Sequence, residues 1–146
     1  MTAKYFKGDI VYSYYFNLET RDLMCEKLLI QNHEYSDMIV EYVCQKEYFV
    51  KIFKFFKKKK KSLITLPEFL ISDDQIVAKI KLFQFVLDNF GYINKETHYD
   101  PESAMINIVD YVKKEMKILI EKYPEKYLKV IDTKRPKNSN NYTIWR

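Results

Sequence analysis

The segment Ile76–Phe90 constrains this chain more than any other. Ile76, Val77, Ala78, Ile80, Leu82, Phe83, Phe85, Val86, Leu87 and Phe90 cover nearly the whole circumference of a helix, with Lys79, Lys81, Gln84 and Asp88 as exceptions. A helix that is apolar nearly all round has to be enclosed by neighbours on several sides. Ser72-Asp73-Asp74-Gln75, just before it, has the form of a capping box with two carboxylates beside the positive helix end, and Gly91 can close it with a left-handed residue. Asp73 and Asp74 are therefore first-turn charges and not an acid pair for metal binding or proton transfer.

The enclosing neighbours are expected to be helices too. With 2 Gly and 4 Pro in 146 residues, the chain lacks the punctuation of a turn-dense sandwich or barrel, or of a Gly-rich phosphate loop. Asp9 is placed to cap a first helix over Ile10–Leu18, although Ile10, Tyr12 and Tyr14 would also line one face of a strand. Thr20 starts a second helix, with Leu23, Met24, Lys27 and Leu28 on one face and a stop near Asn32. Ser36 caps a longer one in which Ile39, Tyr42, Val43, Val50, Phe53 and Phe56 recur at helical spacing, closed by a run of lysines. Leu66-Pro67 opens a short helical turn. Asp100-Pro101-Glu102 begins a helix that runs to Lys122, Pro124 breaks it, and Glu125–Asp132 forms the last. The expectation is an all-α, single-domain bundle of six or seven helices over residues 1–132, built around Ile76–Phe90 and followed by a basic polar tail at 133–146.

The net charge of +5 is unevenly spread. Lys57–Lys61 and the tail bases Lys134, Arg135, Lys137 and Arg146 carry nine of the 25 positive charges, and the remaining 16 bases stand against 20 acids. The chain is a mildly acidic body with two basic appendages, which excludes a surface that is basic throughout. The first twenty residues include Lys4, Lys7, Asp9 and Glu19, and no uncharged run approaches the roughly 20 residues of a membrane-spanning helix. With two cysteines and no disulfide framework, a cytoplasmic protein is expected.

Catalytic and metal signatures are missing from the pattern. Cys25, Cys44, His33 and His98 lack the closely spaced ligand pairs that structural zinc needs, and are expected to be a buried thiol pair with two surface histidines. Neither cysteine opens an expected helix, so neither has the setting of an activated nucleophile. No catalytic residue, metal ligand or cofactor is assigned. The one chemically pointed stretch is Phe53-Lys54-Phe55-Phe56 followed by Lys57, Lys58, Lys59, Lys60 and Lys61. Lysines beside rings can hold single-stranded nucleic acid, or phosphoinositide and other anionic lipid, whereas a plain solvated loop between helices is the structural alternative. Phe53 and Phe56 continue the apolar stripe of the preceding helix, so these two rings are expected in the core.

The order of elements, with Ile76–Tyr92 ending in Asp88-Asn89-Phe90-Gly91-Tyr92, resembles the central helix of the poxvirus Bcl-like family of intracellular immune modulators, which often closes with a Trp-Gly pair and an aromatic. Ser103–Ile120 is similar to the helix that follows it in that family, and Gly8–Leu18 fits an early helix. Phe90 stands where tryptophan is usual, and the lysine run has no counterpart there. The resemblance implies a non-enzymatic viral protein that binds a host apoptotic or innate-signalling protein and inhibits it, with homodimerisation as a further option. The lack of a C-terminal anchor inclines it toward members that bind signalling adaptors. No binding residue carries over by position. The other function open at this stage is an anionic-surface binder using Lys57–Lys61 and the basic tail.

Overall fold

A computed structural model of the chain describes residues 2–17, 19–20, 22–54, 56–90 and 108–131. Four strands come first: β1 (Ile10–Asn17), β2 (Asp22–Ser36), β3 (Ile39–Phe53) and β4 (Phe56–Pro67). They form one antiparallel meander in sequence order. A 3-10 turn at Glu68–Leu70 leads to helix α1 (Gln75–Phe90), and α2 (Ile108–Lys122) and α3 (Pro124–Ile131) complete the described residues. The protein is mixed α and β, which corrects the expected all-α, Bcl-like bundle. Where helices were expected at residues 10–18, 20–32 and 36–56, the described residues form β1, β2, β3 and the start of β4.

Pairing accounts for the difference. β-branched and aromatic residues dominate β1 and β3 and suit a pleated, half-buried surface, and β2, which has few of them, pairs with both. Along β3, Val40, Tyr42 and Cys44 are buried while the residues between them are less so. That is the period of two of a strand, hidden in the sequence beneath a coincident helical stripe. Asp9, expected as a helix cap, accepts the Phe6 amide at 2.8 Å through its carboxylate. It thereby closes a turn in which Gly8 adopts φ +98°, and the chain enters β1. The β2–β3 turn contains no glycine. Asp37 (φ 45°) and Met38 (φ 67°) take the left-handed conformations of a two-residue hairpin loop themselves.

The helical half agrees with the sequence more closely. α1 forms where the apolar run lies, and it is enclosed as its composition requires. Phe16 on β1, Phe69 and Leu70 of the 3-10 turn, Val109, Val112, Met116 and Leu119 on α2, and Val130 on α3 join its buried side chains in one core. Phe16, Phe83 and Tyr111 place β1, α1 and α2 in mutual ring contact, with centroids 6.2–6.4 Å apart. Even Lys81 is buried, its ammonium donating to the carbonyls of Ile71 (2.7 Å) and Glu68 (3.2 Å). The N-cap is Asp74 and not Ser72: Asp74 Oδ1 accepts the amides of Ile76 (2.8 Å) and Val77 (3.3 Å), while Ser72 Oγ accepts the amide of Asp74. The expected helix start at Asp100, the Gly91 cap, His98 and the tail lie outside the described residues.

A second core lies on the other face of β1. Val11, Leu28, Ile30, Val40, Tyr42, Cys44 and Leu66 pack with Ala3 and Tyr5 of the N-terminal segment and with Ile71. Tyr42 is its hub: its hydroxyl accepts the amides of Lys4 (2.7 Å) and Tyr5 (3.2 Å) and donates to Glu68 Oε2 (2.6 Å). Burial first, and then the Glu68 carboxylate, push the Tyr42 phenol well above its ordinary pKa. Ser72 and Tyr12 exchange backbone hydrogen bonds (2.7 and 3.1 Å), so the link from β4 covers the outer edge of β1. The opposite edge of the sheet is β4.

Candidate functional site: a forked sheet with a basic, aromatic arm

The four strands do not stay together along their whole length. The β2–β3 ladder ends at Leu29–Gln45, yet β2 continues back to Asp22 on β1, and β3 continues to Phe53 on β4. A bulge at Gln31 precedes the split, and its amide donates to the Gln45 side chain at 3.2 Å. Beyond it the sheet forks into a β1–β2 hairpin and a β3–β4 hairpin. Between them lies a cleft of about 880 Å3, lined among others by Tyr15, Cys25, Leu28, Tyr48, Phe49 and Ser62. At its throat Lys46 on β3 pairs with Glu26 on β2 at 3.3 Å, both side chains partly buried.

The β3–β4 arm carries the lysine run. Lys57–Lys61 is neither a loop nor a helix end; it lies within an edge strand, where consecutive lysines alternate between the two faces. The cross-strand neighbours are Lys57–Lys51, Lys58–Val50, Lys59–Phe49, Lys60–Tyr48 and Lys61–Glu47. Phe53 and Phe56, expected in the core, are instead 69% and 68% exposed at the tip, in edge-to-face contact with each other. Phe49 is 65% exposed, and Tyr48 and Ile52 are exposed as well. From Lys46 to Lys61 the arm holds eight lysines and one glutamate. Among the described residues, Lys59 is the member of the run that forms an ion pair, to Glu47 at 2.7 Å. The hydrogen bond from Lys59, with added attraction from Lys61 and Lys27, holds the Glu47 carboxyl below its usual range. Lys51 and Lys57 face each other directly, a like-charge pair that disfavours the ladder.

Lysine on an edge strand has a structural use, since it discourages edge-to-edge aggregation. That use accounts for the lysines and not for exposed rings on the strand beside them.

The remaining residues singled out in the sequence are scattered. Cys44 is buried, its thiol donating to the Tyr42 carbonyl at 3.5 Å, whereas Cys25 is exposed in the cleft, so the expected buried thiol pair is not formed. Cys25 neighbours Tyr14, whose hydroxyl is pushed up to about 12, chiefly by burial and then by the thiol. His33 lies among the rings of Phe6, Tyr35 and Tyr42. Eight residues of β2 separate it from Cys25, roughly 25 Å along a strand, so the two cannot pair. Among the described residues no group of three His, Cys, Asp or Glu side chains is placed to hold a metal ion. No described helix is long and apolar enough to cross a membrane. The lysines stood out in the sequence, whereas Tyr48, Phe49 and Ile52 did not: Tyr48-Phe49-Val50 is an unbroken apolar run with no alternation to mark exposed strand positions. Comparison with known proteins finds no matching family model, no matching curated protein and no matching solved structure.

Proposed function

We propose that this protein is a non-enzymatic binding module whose β3–β4 arm grips a single-stranded nucleic acid. The single observation that carries the reading is the cross-strand pairing of exposed rings with lysines: Phe49 with Lys59, on the same face as the facing pair Lys51–Lys57, and Tyr48 with Lys60 on the other face. A single strand needs cations for its phosphates and flat apolar surfaces for its bases, and base–ring stacking tolerates any sequence. The arm offers both within one hairpin, on a body whose remaining charge is mildly acidic, so the contact is local.

The test is titration of a labelled poly-thymidine oligonucleotide across a salt series. Each lysine–phosphate contact contributes about 0.7 to the slope of log K against log salt for a single strand. Replacing Lys57–Lys61 by glutamine is expected to lower that slope by about 2–3.5. Phe49→Ala is expected to weaken binding about 5- to 100-fold with little change in slope. No binding at low ionic strength rejects the reading. So does oligonucleotide binding that the five-lysine replacement leaves intact. Preferential binding to phosphatidylserine vesicles, with none to the oligonucleotide, transfers the arm to a lipid partner and overturns the nucleic-acid assignment.

A further inference from the structure

The fork leaves a strand edge open. β3 lies between β2 and β4 as far as Gln45, but from Lys46 to Phe53 it pairs only with β4. Its inner edge, facing the cleft, has no strand partner among the described residues. Backbone donors and acceptors along such an edge are a template for another strand about 4.8 Å away. The side chains there, Tyr48-Phe49-Val50-Lys51-Ile52-Phe53, have high β-propensity and present alternate residues to each face. At the base of the cleft, Ser62 Oγ is buried without a hydrogen-bond partner.

Charge identifies the occupant. A second copy of this chain pairing through the same edge would set eight lysines and one glutamate against the same complement, an arrangement that repels. An acidic segment meets the opposite situation: the cleft lining is balanced, Lys27 and Lys46 against Glu26 and Glu47, and the surplus positive charge comes from Lys51 on β3 and the β4 lysines within a Debye length of it. We infer that the inner edge of β3, Lys46–Phe53, is an acceptor for an extended acidic segment of a partner protein, which adds as a strand in the fork between the two hairpins. Main-chain hydrogen bonds supply affinity in this mode, and alternate side chains entering the cleft supply selectivity. The inference goes beyond the nucleic-acid reading and stands without it.

The unaltered protein serves for the test, with a synthetic peptide of alternating Glu and Val as the probe. Binding is followed by fluorescence anisotropy, and amide hydrogen exchange locates it. The expected result is protection of amides within Lys46–Phe53, with an analogue N-methylated at alternate residues binding about tenfold more weakly or worse, because it keeps every carboxylate but loses the donors of one edge. Equal affinity of the methylated peptide overturns the inference, since charge alone then explains the contact. Protection confined to Phe56–Pro67 overturns it in favour of the outer edge of β4. If poly-thymidine alone protects Lys46–Phe53 and the peptide does not, the cleft is part of the nucleic-acid site, which rejects the strand acceptor while leaving the proposed function standing.

Discussion

Lys46, one residue beyond the last β2–β3 backbone pair Leu29–Gln45, meets Glu26, three residues beyond it on β2, at 3.3 Å. The ion pair therefore lies where the two hairpins separate, and it ties the basic arm to the rest of the sheet. Side-chain exposures of 29% for Lys46 and 14% for Glu26 leave it partly screened by solvent.

Replacing Lys46 by methionine should accordingly cost little global stability, about 1 kcal/mol or less. Its effect should be local. Amides of Lys46–Phe53 are expected to exchange faster in Lys46→Met, while those of Glu41–Gln45, held on both sides by strands, keep their rates. Uniform acceleration over both stretches would show that the pair does not act at the fork.

Met38 holds φ 67° in the β2–β3 turn with its side chain 87% exposed, so the side chain contributes little packing while the backbone is strained. A left-handed conformation costs an L-residue roughly 1–2 kcal/mol, and glycine avoids it at an entropic cost of about 0.5–1 kcal/mol. Met38→Gly is expected to raise stability by up to about 1 kcal/mol, read as a higher urea midpoint with an unchanged slope.

Asp74 couples the start of α1 to α3. Burial alone would raise its pKa, but the hydrogen bond from Lys126, together with the Val77 and Ile76 amides, outweighs that and holds the carboxyl below its ordinary 3.8. Because the folded value is depressed, this contribution is fully present above the unfolded value, near pH 4, and is lost as pH falls through the folded one. Asp74→Ala is expected to cost about 1–2 kcal/mol at neutral pH and much less in acid, whereas Asp74→Asn keeps the cap and loses the pH dependence. Denaturation at a series of pH values checks both.

Tyr42 holds the N-terminal segment against the sheet through its hydroxyl as well as its ring. Tyr42→Phe keeps the ring, with its edge contact to Tyr5, and removes the oxygen that serves Lys4, Tyr5 and Glu68. A loss of about 1–3 kcal/mol is expected, with early exchange of the Tyr5 amide. An unchanged Tyr5 exchange rate would mean that Ala3 and Tyr5 side-chain packing holds the segment by itself.

The helices were legible because their signals are local. The apolar circumference of Ile76–Phe90, the carboxylates before it and Pro124 all act within a few residues, and α1 and α3 lie where they indicate. The strands were not legible, because the residues that make a strand favourable are far away. Ile39, Tyr42 and Val43 satisfy a helical stripe as readily as a pleat, and only pairing with Ser36, His33 and Asn32 selects the latter. The turn that would have announced the hairpin uses Asp37 and Met38 in place of glycine.

The sequence by itself determined that α1 must be enclosed, that positive charge gathers at Lys57–Lys61, and that rings lie close to it. Only the tertiary structure decided what encloses α1, a strand, a 3-10 turn and two helices, and that Phe49, Phe53 and Phe56 face solvent. The reason is physical: helical order follows from neighbours along the chain, whereas exposure on a sheet depends on where each ladder stops. Here the β2–β3 ladder stops at Leu29–Gln45, and beyond that point the backbone edge of β3 that faced β2 has no strand beside it among the described residues.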